Sequence, residues 1–334
     1  MKLIRNIAFP FVPVYYAVTS LRNKLYDLGI KKSTSFNFPV ICVGNLSVGG
    51  TGKTPMIEYL IHLLKDDYKV ATLSRGYKRK TKGFQLANEL SSAESIGDEP
   101  FQFYNKFKND ILVAVDSDRI NGINELIKLG TSPEVILLDD AFQHRKVKAG
   151  LNILLTTYSN PYFSDYVLPT GNLREPRNGA KRAHIIIVTK CPENLNEIEK
   201  SKILKQIEPK NHQQVFFSSI NYSNTVFSSQ SEISLDTLTN FTLVTGIANA
   251  NPLIEFLKAK SLRFEHLNFK DHHEFTQQDI LDLEKKELII TTEKDFMRLN
   301  QYGTLKDKLY YLPIQTTISN SEVINKLVKG FVAS

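Results

Sequence analysis

Val40-Ile41-Cys42-Val43-Gly44-Asn45-Leu46-Ser47-Val48-Gly49-Gly50-Thr51-Gly52-Lys53-Thr54-Pro55 is the stretch on which the fold turns. The β-branched run at its start reads as a buried strand, and the glycine-rich segment that follows opens onto a helix-length stretch. In that context glycines let backbone N–H groups converge on phosphate oxygens, and the helix N-terminus adds positive potential. Val48, Gly49, Gly50, Thr51, Gly52, Lys53, Thr54 and Pro55 form the expected ATP-binding loop, with Lys53 reaching the β- and γ-phosphates and the Thr54 hydroxyl offered to Mg²⁺. The strict pattern G-x-x-x-x-G-K-[ST] would place glycine where Ser47 stands.

Outward from this loop, short apolar runs recur at 69–74, 110–115, 134–138, 151–156, 184–189 and 214–220, separated by helix-length stretches. Strands buried on both faces read this way, so the expected fold is α/β: a P-loop doubly wound, mostly parallel sheet. A polar stretch at 221–240 reads as a linker or exposed hairpin, after which runs at 241–246, 264–269, 288–292 and 310–314 restart the pattern. The chain's 334 residues exceed what one core organises, since domains average ~150 residues. We expect a kinase-type P-loop domain over 1–220 and a second, smaller α/β domain over 221–334 that closes over the site, its last helix able to pack back on the first.

A nucleotide loop of this kind needs a carboxylate for magnesium, and Val135-Ile136-Leu137-Leu138-Asp139-Asp140 supplies an apolar strand that ends in two acids. Either Asp139 or Asp140 can be the ligand. The composition, 42% hydrophobic and 23% charged, is that of a folded chain, and two cysteines, Cys42 and Cys191, exclude a disulfide framework and suit a reducing compartment. A net charge of +7 suits an anionic partner without choosing among nucleotide, lipid head group and nucleic acid.

The amino terminus is apolar from Ile7 to Val18 but is interrupted by Pro10 and Pro13, lacks a small-residue cleavage site and is shorter than the ~20 residues of a spanning helix. It reads as an interfacial segment, or else as a core-packing helix preceding the first strand. Phe9, Phe11, Val12, Val14, Tyr15, Tyr16 and Val18 are available to enter a bilayer, and Lys2, Arg5, Arg22 and Lys24 to meet anionic head groups. The basic run Arg75, Lys78, Arg79, Lys80 and Lys82 is either a solvated surface or a docking patch for a phosphorylated sugar or anionic leaflet.

Together with the loop, Ser74-Arg75-Gly76-Tyr77, Gly97-Asp98-Glu99-Pro100, Asp116-Ser117-Asp118-Arg119, Asp139-Asp140-Ala141-Phe142-Gln143-His144, Leu168-Pro169-Thr170-Gly171-Asn172-Leu173-Arg174-Glu175-Pro176, Asp271-His272-His273 and Thr292-Glu293-Lys294-Asp295 occur in an order that resembles the tetraacyldisaccharide 4′-kinase family over nearly the whole chain. Ala141 stands where that family often has glycine. The resemblance implies transfer of the ATP γ-phosphoryl group to the 4′-hydroxyl of an acylated glucosamine disaccharide 1-phosphate, peripherally at the cytoplasmic face of the inner membrane of Gram-negative bacteria. It also implies that Asp98 acts as base together with a histidine. A base helps because the attacking oxygen loses a proton as the P–O bond forms. Adjacent residues on an extended segment face opposite ways, which leaves one of the two histidines, and His272, with Asp271 to orient it, is preferred. Arg174 is expected on the phosphate side and Glu175 on the magnesium side, or else as an internal ion pair.

A rival class is a P-loop switch ATPase, since Gly49-Gly50-Thr51-Gly52-Lys53-Thr54 is similar to the double-glycine loops of partition and metal-insertion ATPases. Those usually carry a signature lysine where Val48 stands. No nucleic-acid partner is expected, because only Tyr77 and Phe84 flank the basic run, and no obligate protein partner is evident.

Overall fold

The computed structural model describes residues 9–271 and 273–334. The larger sheet uses β1 (Val40–Asn45), β2 (Val70–Ser74), β3 (Gln85–Leu86), β4 (Leu112–Val115), β5 (Val135–Asp139), β6 (Leu151–Thr157), β7 (Ile185–Thr189) and β8 (Gln214–Tyr222). The smaller sheet uses β9 (Thr225–Phe227), β10 (Glu232–Ser234), β11 (Asn240–Thr245), β12 (Arg263–Asn268), β13 (Ile289–Thr292) and β14 (Leu309–Leu312), after which β15 (Ile314–Ile318) returns to the larger one.

In the larger sheet the order is β15-β8-β7-β6-β1-β5-β2-β4-β3, parallel from β8 to β4 with antiparallel edges at β15 and β3. Alternate residues of each central strand feed two separate cores. Val40, Cys42, Ile136 and Leu138 join one, and Ile41, Val43, Val135 and Leu137 join the other. Such period-2 alternation with both sets apolar is what a sheet covered on both faces requires.

Helix α1 (Val12–Asp27) lies on the first face through Val12 and Tyr15, with α4 (Arg119–Ile127) and α5 (Glu197–Ile207). On the second face lie α2 (Lys53–Leu64), α3 (Asp98–Phe107) and the last helix α9 (Ser321–Val332), through Met56, Leu60, Phe103, Ile324 and Val328.

The smaller sheet has the order β10-β9-β14-β13-β11-β12, parallel from β14 to β12, with the polar 221–240 stretch forming the antiparallel hairpin β9–β10 at its edge. Its helices are α6 (Asn251–Ala259), α7 (Gln277–Glu284) and α8 (Glu293–Leu299). The apolar run 310–314 is split by Pro313, which has no N–H to donate. β14 stays in the smaller sheet, while β15 crosses over and pairs antiparallel with β8, Ile314 opposite Tyr222.

Candidate active site

β1 and β5 lie side by side, Val43 opposite Asp139, so the glycine loop and the acid pair emerge together at one end of the parallel sheet. Gly49 (φ +106°) and Gly52 (φ +87°) hold backbone conformations that a side chain would strain, and Gly52 caps the start of α2. The loop is braced by its neighbours. Asn45 Nδ2 donates to Thr51 Oγ1 (2.7 Å), Thr189 Oγ1 to the Thr51 carbonyl (2.8 Å), and Lys190 Nζ to the Gly50 carbonyl (2.7 Å). Val48 N–H donates to the Asn172 carbonyl (2.8 Å) and Arg174 N–H to the Leu46 carbonyl (2.7 Å), which ties the 168–176 segment along the loop.

Asp140 adopts φ +48°, a left-handed turn that aims two consecutive acids differently. Asp139 is buried and accepts from Ser74 Oγ (3.3 Å), while its backbone carbonyl accepts from Arg119 Nη2 (3.1 Å). Burial, then the Asp140 charge, push the Asp139 carboxyl up to about 6. Its Oδ1 is buried without a hydrogen-bond partner among the described residues. Asp140 faces the opposite balance. Burial would raise it, but Lys53 (Nζ–Oδ1 3.8 Å) and the two-pronged Arg174 (3.1 and 2.7 Å) outweigh that and hold it below the usual carboxylate range. Arg174 also donates to the Asn45 carbonyl (3.2 Å) and to Asn45 Oδ1, so one guanidinium joins the loop strand to the acid pair.

Glu175 lies elsewhere in this network. Both its oxygens are engaged, by Gln143 Nε2 (2.9 Å), Arg182 Nη2 (2.7 Å) and Asn23 Nδ2 of α1 (2.6 Å), and it is 2% exposed. In this arrangement three donors occupy the carboxylate that the sequence offers to magnesium. The alternative of an internal Arg174–Glu175 ion pair gives way to Arg174–Asp140 and Arg182–Glu175.

Asp98 opens α3 behind Gly97 (φ +99°), whose missing side chain lets the loop lie on Gly76, since a Cβ there would sit 3.2 Å from Gly76 Cα. Arg298 of α8 donates to Asp98 Oδ2 through Nε (3.1 Å) and Nη2. Lys294, one turn earlier on α8, lies 3.8 Å from Glu99 Oε1 and 3.9 Å from Asp271 Oδ1. The smaller sheet thus brings Asp271 to the Asp98-Glu99 corner. His272 itself lies outside the described residues. His273 is turned toward the elements of the smaller sheet, stacked on Phe269 and 3.0 Å from Asp279 Oδ2.

The remaining motifs are braces. Asp118 caps α4 and Arg119 carries the Asp139 carbonyl, while the fully buried Asp295 accepts from Gly246 N–H (2.8 Å) and Thr292 Oγ1 (2.7 Å). Within the basic run Arg79 turns inward to the Gly83 carbonyl (2.6 Å) and Lys80 pairs with Glu94. Sequence reasoning missed Arg298 and Lys190, which carry no pattern of their own, and gave no role to Asn45, although it lies in the quoted stretch. Only proximity to the Thr292–Asp295 motif could have flagged Arg298.

The profile of the family described as tetraacyldisaccharide-1-P 4′-kinase matches residues 4–332. The chain belongs to that family. A Flavobacterium johnsoniae protein called tetraacyldisaccharide 4′-kinase is 53% identical over 327 residues, 96% of this chain and 95% of that protein. A Bacteroides thetaiotaomicron protein of the same name is 45% identical over 356 residues, 98% and 93% of the two chains. Among solved structures, "apo"-form LpxK from Aquifex aeolicus in complex with ATP superposes with a TM-score of 0.79 at 33% identity, covering 98% of this chain and 99% of that one. A tetraacyldisaccharide kinase fold is thereby aligned end to end with the two sheets described here, and the switch-ATPase alternative is not favoured.

Proposed function

We propose that the chain transfers the γ-phosphoryl group of ATP to the 4′-hydroxyl of a tetraacyldisaccharide 1-phosphate, with the glycine loop and the Asp98 corner as the two halves of its site. The observation that carries this is the joint placement of Lys53, Arg174 and Asp140 on one side, and of Asp98 and Asp271, tied through α8, on the other. Loop amides 48–54 and Lys53 bind the nucleotide phosphates. Arg174, anchored on Asp140 and Asn45, presents its guanidinium where charge gathers on the moving phosphoryl group. Asp98 accepts the acceptor-hydroxyl proton, with Arg298 fixing its orientation and His272 as the second member of the pair.

The residues present fit Mg²⁺. Oxygen donors are what that hard cation takes, and it needs only one or two carboxylates besides substrate phosphates. Asp139 has a buried oxygen without a partner among the described residues, and with Thr54 and Asp140 would hold the ion; when bound, it neutralises charge on the β- and γ-phosphates.

The glycolipid acceptor calls for a membrane surface, and α1 supplies a face for it. Phe11, Val14, Val18 and Leu21 recur at helical spacing and are each more than half exposed, as is Phe9. Tyr15 and Arg22, earlier assigned to the bilayer side, instead point inward, to the Arg174 carbonyl (2.9 Å) and the Gln143 carbonyl (2.5 Å). Lys2 and Arg5 lie outside the described residues. Among the described residues no helix is long and apolar enough to cross a membrane. Peripheral docking at the cytoplasmic face of the inner membrane follows from this reading, because ATP is the donor.

The test is transfer of labelled γ-phosphate from ATP to the detergent-dispersed tetraacylated disaccharide 1-phosphate by the wild type and by Lys53→Ala. Lipid product that requires Lys53 supports the reading. ATP hydrolysis without acceptor dependence and without lipid product sinks it.

A further inference from the structure

Lys106 Nζ of α3 lies 2.7 Å from Glu58 Oε2 of α2 and 2.9 Å from Glu293 Oε1, the first residue of α8. Both carboxylates are nearly fully buried, at 5% and 6% exposure, and Gln102 Nε2 donates to Glu58 Oε1 (2.9 Å). One ammonium therefore joins three helices drawn from both sheets. α2 is the helix that begins at Lys53, and α8 is the helix that carries Lys294 and Arg298. None of these three charges has a part in the chemistry above.

Two buried acids sharing one cation are an expensive way to hold helices together, since apolar side chains of similar volume would often stabilise the contact as well or better. What such a group adds is geometry: only one placement of α8 lets a single ammonium meet both carboxylates. Burial, then the Glu293 charge, raise the Glu58 carboxyl to about 7, as expected for an acid that shares its counter-ion. Lys106 and Glu58 belong to helices on the same face of the larger sheet, so Glu293 is the member that arrives with the smaller sheet.

We propose that Lys106 is a positioning residue for phosphoryl transfer, clamping Glu293 against Glu58 so that α8 sets Arg298 on Asp98 and Lys294 between Glu99 and Asp271. The inference rests on the assignment of Asp98 as the acceptor-side base. It gives the glutamate of the Thr292–Asp295 motif a task that capping and bracing leave unassigned.

The experiment compares Lys106→Met, Lys106→Arg and Glu293→Gln in the full chain, assayed with labelled ATP and the detergent-dispersed acceptor. Lys106→Met is expected to lower kcat by roughly 10- to 100-fold, because a misplacement of ~1 Å at a reacting centre costs up to ~10²-fold. ATP affinity, read by binding of labelled nucleotide, stays within about twofold, since the glycine loop is untouched. Lys106→Arg, which keeps the charge, restores most of the rate. Should Lys106→Met fail to fold, the cycle of Glu58→Gln, Glu293→Gln and the double variant decides alone. Losses in kcat that combine to less than their product support a shared clamp, and strictly multiplicative losses overturn it. Full kcat in Lys106→Met or Glu293→Gln, or an effect confined to melting temperature or ATP affinity, also overturns it. Asp98→Asn run beside them separates the two readings. If that variant keeps its rate, the base assignment has failed. If it is inactive while Lys106→Met is fully active, only the clamp has failed.

Discussion

Replacing Arg174 by methionine separates a brace from a catalytic group, because the structure sets how much a brace can be worth. The guanidinium makes two contacts to Asp140, at 3.1 and 2.7 Å, and further ones to Asn45, with its side chain 25% exposed and that of Asp140 38% exposed. Hydrogen bonds to charged groups contribute ~1.5–3 kcal/mol, and solvent screening at this exposure puts the ion pair near the bottom of that range. Loss of the brace alone therefore accounts for about 1.5–2 kcal/mol, or roughly 10- to 30-fold. A donor aimed at charge that develops in the transition state is worth more, about 10²- to 10³-fold in kcat when removed. Arg174→Met should accordingly lower kcat, measured as labelled-phosphate transfer at saturating ATP and acceptor, by at least ~10²-fold while leaving KM for ATP within a few-fold. A loss of 30-fold or less that appears wholly in KM would refute the transition-state role and leave Arg174 as the strut between Asn45 and Asp140.

Asp139→Asn should change how stability depends on pH. A carboxyl at about 6 when folded and near ~3.9 when unfolded holds its proton longer in the folded chain, so stability falls as pH rises between those values and is flat above them. The roughly two-unit gap corresponds to about 3 kcal/mol, so without nucleotide and Mg²⁺ the variant should gain up to that amount at pH 8 and little at pH 4. Parallel denaturation midpoints for both proteins across that range would exclude it. Asp98→Asn should lower kcat by roughly 10²- to 10⁴-fold with ATP binding retained, and a larger loss in nucleotide binding than in turnover would count against the base. Val14→Asp with Val18→Asp should weaken flotation with anionic phospholipid vesicles more than tenfold, at ~1.5–3 kcal/mol per buried apolar side chain, while transfer to a detergent-dispersed acceptor persists. Undiminished flotation would remove α1 from the membrane reading.

The larger sheet was legible because its strands are buried on both faces and so are written as unbroken apolar runs. Residues 69–74, 134–138 and 184–189 coincide with β2, β5 and β7 to within a residue at each end. The crossing of β15 was not legible. Residues 310–314 read as one strand, and only the tertiary structure shows that Pro313 divides it between two sheets, with alternation in Ile314–Ile318 too weak to mark a half-covered edge. Short β3 escaped, and 221–240 could be read only as a linker or exposed hairpin without the bounds of β9 and β10, for a related reason, since two or three residues carry no period.

For the site, what the sequence displayed was the glycine loop and the acid pair, whose chemistry is local to one strand end each. It could not display partners, because a guanidinium's choice between carboxylates depends on where separate loops meet. Arg174 and Glu175 are neighbours in sequence but point apart, one to Asp140 across β1 and the other to Arg182, Gln143 and Asn23 beneath α1. That divergence ties two places together. Arg174, braced on Asp140 and Asn45, and Glu175, which accepts from Asn23 of α1, are joined by one peptide bond, and Tyr15 of α1 donates to the Arg174 carbonyl itself. A shift of α1 is therefore passed, through contacts of 2.6 to 2.9 Å, to the segment that holds the guanidinium. The fold couples α1 to the Arg174 guanidinium by adjacency in the chain, whereas Asp98 and Asp271, which come from different sheets, depend on α8 to hold them together.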